Sequence, residues 1–466
     1  MQVMVTMDAS ITLVALTKIQ NELQMSDAGR NWVLTSYLLT YGGLMLLGGR
    51  LGDTFGRRRT FVTGVALFTL ASLLCGFAWN ESSIIVARLL HGAAAAVIAP
   101  TTVSLLATAF PKGPQRNAAT AVLGGIVSIS VVASLVVGAG LTAVSWRMAF
   151  LVNVPIGLVV IYLARALPES KDQERKRLDV AGSVLVTMAW LTLILAISLG
   201  PQLGWTSATT IGLGMVSVAA FVAFAVVERS AKNPVVPFSL FRDRNRLATF
   251  TTIFLAGGVY WALAILIGLY AQQILGYSIL RTGIAFTPFV LAVAVGTVAS
   301  ARLVTRFSPR TLVLAGGVPV IAATLYASTF DASIPYFPNL VVMLVAGGIG
   351  VGIINVPVML CVIASVDVDL IGPTSAIALA LQSLGGPMVL ALIQVAVATR
   401  TLSLGGTLGP ISSMTPAQLH ALDGGFTYGL LWLAAAGLLA GGAAMFIGYT
   451  AQQVAVAQEA KKAMEE

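Results

Sequence analysis

The sequence predicts an all-α polytopic membrane protein with fourteen transmembrane helices. Three observations point there: an oily composition, long apolar runs at regular spacing, and basic residues gathered in alternate loops. Of the 466 residues, 57% are hydrophobic and only 10% charged, against about 25% charged in ordinary globular chains. The glycine and proline content also suits membrane helices, which tolerate both. Both cysteines, Cys75 and Cys361, lie inside apolar runs and read as small core residues. Neither they nor the two histidines, His91 and His420, form a disulfide frame or a metal site.

A helix needs about 20 apolar residues to cross the hydrocarbon core. Such runs lie near 1–17, 32–49, 60–78, 83–108, 118–141, 147–165, 179–199, 207–227, 247–271, 283–304, 311–328, 338–364, 371–399 and 427–449. No charged segment or cleavage site precedes the first run, so no signal peptide is expected. Prolines 100, 288, 319, 357 and 387 are expected to bend helices where neighbours satisfy the released carbonyls. Between the last two runs, MTPAQLHALDGG reads as a short separate helix, capped by Thr415, opened by Pro416 and ended by Gly424.

The positive-inside rule tests the count. With a cytoplasmic N-terminus, the even-numbered connections and the C-terminal tail hold 21 of the 27 basic residues. The other side holds five: Lys18, Arg30, Arg147, Arg281 and Arg400. One, Arg88, lies within a span. Both termini are therefore expected in the cytoplasm. The net charge of +9 follows from basic loops beside anionic lipids and calls for no nucleic acid.

Within the spans, one carboxylate and one arginine stand out, Asp8 and Arg88. A charge in hydrocarbon costs several kcal/mol, which marks both as functional candidates. Arginine does not release its proton, so Asp8 is the titrating partner in any proton-driven pair. His91 follows Arg88 by three residues and shares its helix face; it reads either as a proton relay or as a hydrogen-bonded core residue.

The loop GRLGDTFGRRR (49–59) repeats. ARLVTRFSPR (301–310) matches it at Arg50/Arg302, Leu51/Leu303, Phe55/Phe307 and Arg58/Arg310, eight spans later. Spans 1–6 and 9–14 thus read as two related six-helix bundles, with spans 7 and 8 inserted. The expected division is 1–168, an inserted pair with its loops over 169–246, 247–450, and a tail over 451–466. Internal repeats mark secondary transporters, whose site lies at the repeat interface.

At this point GRLGDTFGRRR resembles the motif A loop of the major facilitator superfamily. MDASITLVAL (7–16) resembles the first-span motif of its fourteen-helix drug:proton antiporters, ARLLHGAAAA (87–96) its motif B, and SWRMAFLVNVPIG (145–157) and IGPTSAIALALQSLGGP (371–387) its sixth and thirteenth helices. There are departures. His91 replaces a glutamine and Thr17 a proline. In the fifth-helix signature, Ser130, Ser134, Leu135 and Ala139 stand where glycine, glycine, proline and glycine are usual, and only Gly138 remains. The resemblance implies a 6 + 2 + 6 major facilitator fold and a cytoplasmic latch built from Gly49, Arg50, Asp53, Gly56, Arg57 and Arg58. It implies proton coupling through Asp8, Arg88 and His91, with the proton as coupling ion and no cofactor.

The residues expected to line the cavity are Trp32, Tyr37, Tyr260, Trp261, Phe286, Phe289, Asn355, Met359, Gln382 and Gln394. Such a lining suits a large apolar or amphipathic ligand oriented by few polar groups. The function expected is proton-driven efflux of such compounds across the inner (plasma) membrane by a monomer, with membrane lipids and small amphipathic molecules as its partners. The alternative is a lipid transporter that carries drugs as secondary cargo. No nucleophile–base pair or phosphate loop supports an enzyme, no ring of charges supports a channel, and no Walker A sequence supports ATP drive.

Overall fold

The computed structural model describes residues 1–109, 137–138, 140–167, 180–230, 238–304, 306–364, 366, 371–409, 411, 414–450 and 452–453. Among these there is no strand, and every regular element is a helix. The helices are α1 (Gln2–Leu23), α2 (Asp27–Phe55), α3 (Arg57–Gly76), α4 (Glu81–Ala109), α5 (Trp146–Leu151), α6 (Asn153–Leu163), α7 (Val180–Leu203), α8 (Ala208–Ser230), α9 (Arg244–Gln273), α10 (Ile279–Ala285), α11 (Thr287–Leu303), α12 (Pro309–Ala327), α13 (Val341–Ala364), α14 (Ile371–Ser403) and α15 (Pro416–Ala444).

Eleven helices among the described residues are long and apolar enough to cross a membrane. They correspond to the third, fourth and sixth through fourteenth apolar runs. The first two runs are the helices α1 and α2. Most of the fifth run, with the fifth-helix signature at Ser130, Ser134, Leu135 and Ala139, lies outside the described residues, as does the connector 168–179.

Caps set several boundaries. Ser26 accepts from the Gly29 N–H (2.9 Å) and starts α2. Asp243 accepts from the Arg246 N–H (2.7 Å) and starts α9. Gly56 ends α2 and opens α3 at φ +102°, a backbone state that favours a residue without a Cβ. The run 283–304 lies within one span, Leu280–Leu303, with α10 passing into α11 at Phe286, next to Pro288. One expectation is corrected. The segment after Thr415 is not a separate short helix. Thr415 and Gln418 form a capping box, and the helix runs through Gly424 and Gly425 to Ala444. Glycine lowers helix propensity by only about 1 kcal/mol, and both glycines let α15 lie against Leu404 and Thr401 at the end of α14.

The described residues cluster into two compact units, one drawn from 1–196 and 205–236, the other from 197–204 and 237–464. In the first, α4 packs along α2 and α3; in the second, α13 packs along α11 and α12, and α9 along α14 and α15. Exposed leucines and valines coat the outer helix faces, as expected where lipid rather than water is the solvent.

Candidate functional site

Small residues bring α2 and α4 into close contact. A Cβ at Gly92 would collide with the Tyr37 carbonyl and the Thr40 hydroxyl, and one at Gly48 with the Ala96 carbonyl. Thr40 Oγ1 donates across the gap to the Leu89 carbonyl (2.9 Å). This close approach lets Arg88, on the same stretch of α4, reach the backbone of α2.

Arg88 is fully buried, and its guanidinium is held on several sides. Nε donates to the Val33 carbonyl (2.9 Å). Nη1 donates to Asp8 Oδ2 on α1 (2.5 Å) and lies 3.0 Å from His91 Nδ1. The Tyr37 ring lies 4.3 Å from Arg88 Cζ, and Phe150 of α5 lies 5.7 Å away. Sequence spacing alone puts Val33 with Tyr37, and Arg88 with His91, on shared helix faces. An arginine can only donate, so His91 Nδ1 accepts and the ring proton sits on Nε2. Nε2 then donates to Ser72 Oγ on α3 (2.9 Å), and Phe68 packs on the imidazole at 3.9 Å.

The structure therefore brings together Asp8, Arg88 and His91, and adds Tyr37, Ser72, Phe68 and the Val33 carbonyl. Asp8 Oδ1 has no hydrogen-bond partner among the described residues and lies 3.6 Å from His91 Nδ1. Asp8 is 1% exposed. Ser72 and Phe68 escaped the sequence reading because an isolated serine or phenylalanine in an apolar helix carries no spacing signal. Tyr37, expected as cavity lining, sits against the arginine. Trp32, one turn before it, is also buried, and its Nε1 lacks a partner.

The other expected cavity residues belong to the second unit. Tyr260 meets Trp261 (5.4 Å) and stacks on Phe289 (6.2 Å), which meets Phe286 edge-on (6.2 Å). Gln382 Nε2 donates to Asn355 Oδ1 (3.0 Å), linking α14 to α13. A Cβ at Gly257 would meet Gln382 and one at Gly386 would meet Trp261, so these glycines bring the amide and the indole against neighbouring backbone. Met359 on α13 is partly exposed, and Gln394 on α14 has an Nε2 without a partner among the described residues.

In the loop 49–59, Gly49 faces Pro100 and Gly52 faces Thr101 of α4. Arg58 Nη1 donates to the Leu167 carbonyl (3.2 Å). Arg57 follows the Gly56 turn at the first position of α3. The side chains of Arg50 and Asp53 lie outside those described.

A sequence profile of the Major Facilitator Superfamily matches residues 1–390. The chain belongs to the major facilitator superfamily. Its members are transporters, and it is not an enzyme. The MFS-type transporter EfpA of Mycobacterium tuberculosis is 58% identical over all of this chain and 88% of that protein. The puromycin resistance protein pur8 of Streptomyces alboniger is 33% identical over 91% of this chain and 84% of its own length. A solved bacterial homologue of the human lysosomal transporter Spinster superposes with a TM-score of 0.68 at 14% identity, covering 98% of this chain and 96% of that one. At that identity the likeness establishes the major facilitator fold alone.

Proposed function

We propose that this chain exports hydrophobic or amphipathic compounds and is driven by protons through Asp8. The observation that carries the reading is the buried Asp8–Arg88–His91 cluster, where a carboxylate is paired with a guanidinium that cannot lose its charge. Protonating Asp8 removes half of that pair. Breaking a buried pair costs about 3–5 kcal/mol, and two transport states differ by only a few kcal/mol. One proton is therefore enough to change which state is populated. The Tyr37 face, the Val33 carbonyl and His91 Nδ1 keep Arg88 in place while Asp8 is neutral. Relatedness to a protein named for puromycin resistance supports efflux, and the aromatic and amide groups of the second unit suit an amphipathic cargo. The same reading carries fourteen spans arranged 6 + 2 + 6, a plasma-membrane location and cytoplasmic termini.

A lipid cargo is the second reading. One feature favours it: a groove of about 240 Å³ in the first unit lined by Leu44, Leu47, Leu67, Leu70, Leu74 and Leu90, with almost no polar surface.

The test is transport in proteoliposomes under an imposed pH gradient, with a fluorescent cationic dye and a labelled phospholipid in parallel. Gradient-driven dye movement should be lost in Asp8→Asn. Full dye movement in that variant would sink the coupling role. Lipid transfer without dye movement would make lipid the cargo.

A further inference from the structure

The two ring nitrogens of His91 meet different neighbours. Nδ1 lies 3.0 Å from Arg88 Nη1, a group that only donates. Nε2 lies 2.9 Å from Ser72 Oγ on α3, a hydroxyl that can donate or accept. α3 packs along α4, and a Cβ at Gly64 would crowd Val97 and Ile98 of α4. Phe68 and Ser72 are four residues apart and share one helix face. Both meet the imidazole, Phe68 with ring centres 3.9 Å apart. Hydroxyls within helices often bond back to the carbonyl four residues earlier. Thr69 does so to Val65 (2.7 Å), and Ser36 to Trp32 (2.6 Å). Ser72 reaches across to another helix instead.

The surroundings also fix the charge of the ring. It is faced by Asp8 from α1, Tyr37 from α2, Ser72 and Phe68 from α3, and Arg88 from its own helix. Two of these are ionisable pair members, Asp8 and Arg88. Tyr37 and Cys75, one turn beyond Ser72, are the other titratable groups nearby. His91 and Ser72 are both fully buried. A second proton on the ring would set an N–H against the guanidinium, donor against donor and cation against cation. Asp8 is already bonded to Arg88 at 2.5 Å, and its single charge cannot balance two cations. Once Asp8 is neutral, no anion among the described residues faces the ring. Moving the single ring proton to Nδ1 creates the same clash of donors.

We propose that Ser72 is a positioning residue for the Asp8–Arg88 pair. By accepting from His91 Nε2, it fixes the tautomer whose Nδ1 lone pair holds Arg88. His91 therefore stays neutral and carries no proton; it steadies the guanidinium whether Asp8 is charged or not. This deepens the coupling reading and rests on it for its role in transport. Without the Ser72 hydroxyl, the Nε2–H is buried with no acceptor. The proton then moves to Nδ1 and turns toward Asp8 Oδ1, 3.6 Å away. Arg88 loses one acceptor, and the ionised form of Asp8 gains a donor.

Magnetic resonance of isotope-labelled histidine in the full-length protein, held in lipid nanodiscs, tests this directly. The chain has two histidines, and His420→Gln leaves the signals of His91 alone. The ring should show a protonated Nε2 and a bare Nδ1, unchanged from about pH 8 to about pH 5. A ring that becomes doubly protonated in that range overturns the proposal, as does a wild-type ring protonated at Nδ1. Ser72→Ala should move ring proton density to Nδ1, and Ser72→Thr, which keeps a hydroxyl, should restore the wild-type pattern. A Ser72→Ala spectrum equal to that of the wild type rejects the positioning role, as does the same change in Ser72→Thr. In efflux, Ser72→Ala should shift the pH profile to lower pH by ~1 unit, because a new donor favours the ionised carboxylate. The spectra need no transport. A Ser72-dependent neutral ring beside full dye movement in Asp8→Asn would keep the tautomer assignment and remove only the coupling role of Asp8.

Discussion

Arg88 uses the planar fork of its guanidinium. Nε and Nη1 point to acceptors on different helices, and the flat face meets Tyr37. A lysine supplies a point charge without that fork. Arg88→Lys should therefore keep a positive charge near Asp8 but lose the link to the Val33 carbonyl, and gradient-driven efflux should fall on the order of tenfold or more, read as initial dye efflux rate. Unchanged efflux would mean that charge alone suffices. Asp8 and Arg88 are legible in sequence because ionised groups are rare in apolar helices. Tyr37 and Ser72 are not legible as their partners, because contacts across helices leave no mark on local spacing. Asp423 was not legible as a buried residue, because the expected helix end at Gly424 placed it at the end of a short helix outside the spans.

At the scale of elements, α2 and α4 show how glycine determines a site. Gly48 and Gly92 allow backbone to approach backbone, and the arginine reaches across only because they do. Gly92→Val should overpack the crossing and destabilise the fold by about 1–3 kcal/mol, seen as a lower unfolding midpoint in detergent. Efflux should fall with it, since Arg88 lies one turn away. A midpoint equal to that of the wild type would mean that the crossing can open without penalty. The repeated loop is a second case. In the shared register, Gly56 matches Ser308 and Arg57 matches Pro309, and each pair occupies the N-cap and first position of a helix. The helix start is reached by different chemistry, a positive-φ glycine in one copy and a serine cap in the other. Phe55 ends α2, whereas α11 already stops at Leu303.

For the whole molecule, the charge bias that sets the expected topology has five exceptions, and each has a specific partner. Lys18 Nζ donates to the Thr142 and Ala143 carbonyls (2.9 and 3.1 Å), a favourable place for a cation at the end of a helical segment. Arg30 donates to Gln20 (3.0 Å). Arg147 pairs with Glu22 and donates to the Ala78 carbonyl (3.1 Å). Arg281 covers the Tyr277 ring at 3.9 Å, and Arg400 that of Tyr428 at 5.8 Å. The basic residues that depart from the bias are thus held by specific contacts. The proposed topology makes a direct prediction. Gly405→Cys should react with an impermeant maleimide from outside intact cells, and Phe307→Cys only after the membrane is opened. The native Cys75 and Cys361 are buried and should add little background. Reversed labelling would invert the orientation.

The amino-acid sequence by itself determined the helical class, the positions of the apolar runs, the repeated loop and the two ionised residues inside the membrane. These are local properties: hydrophobic run length, charge placement and turn chemistry are written residue by residue. Tertiary structure decided that Asp8 and Arg88 meet, that His91 accepts from Arg88 and donates to Ser72, and that Asp423 is buried. Those facts depend on which helix faces touch, and residues 80 positions apart meet only after close packing at residues without side chains has brought their helices together.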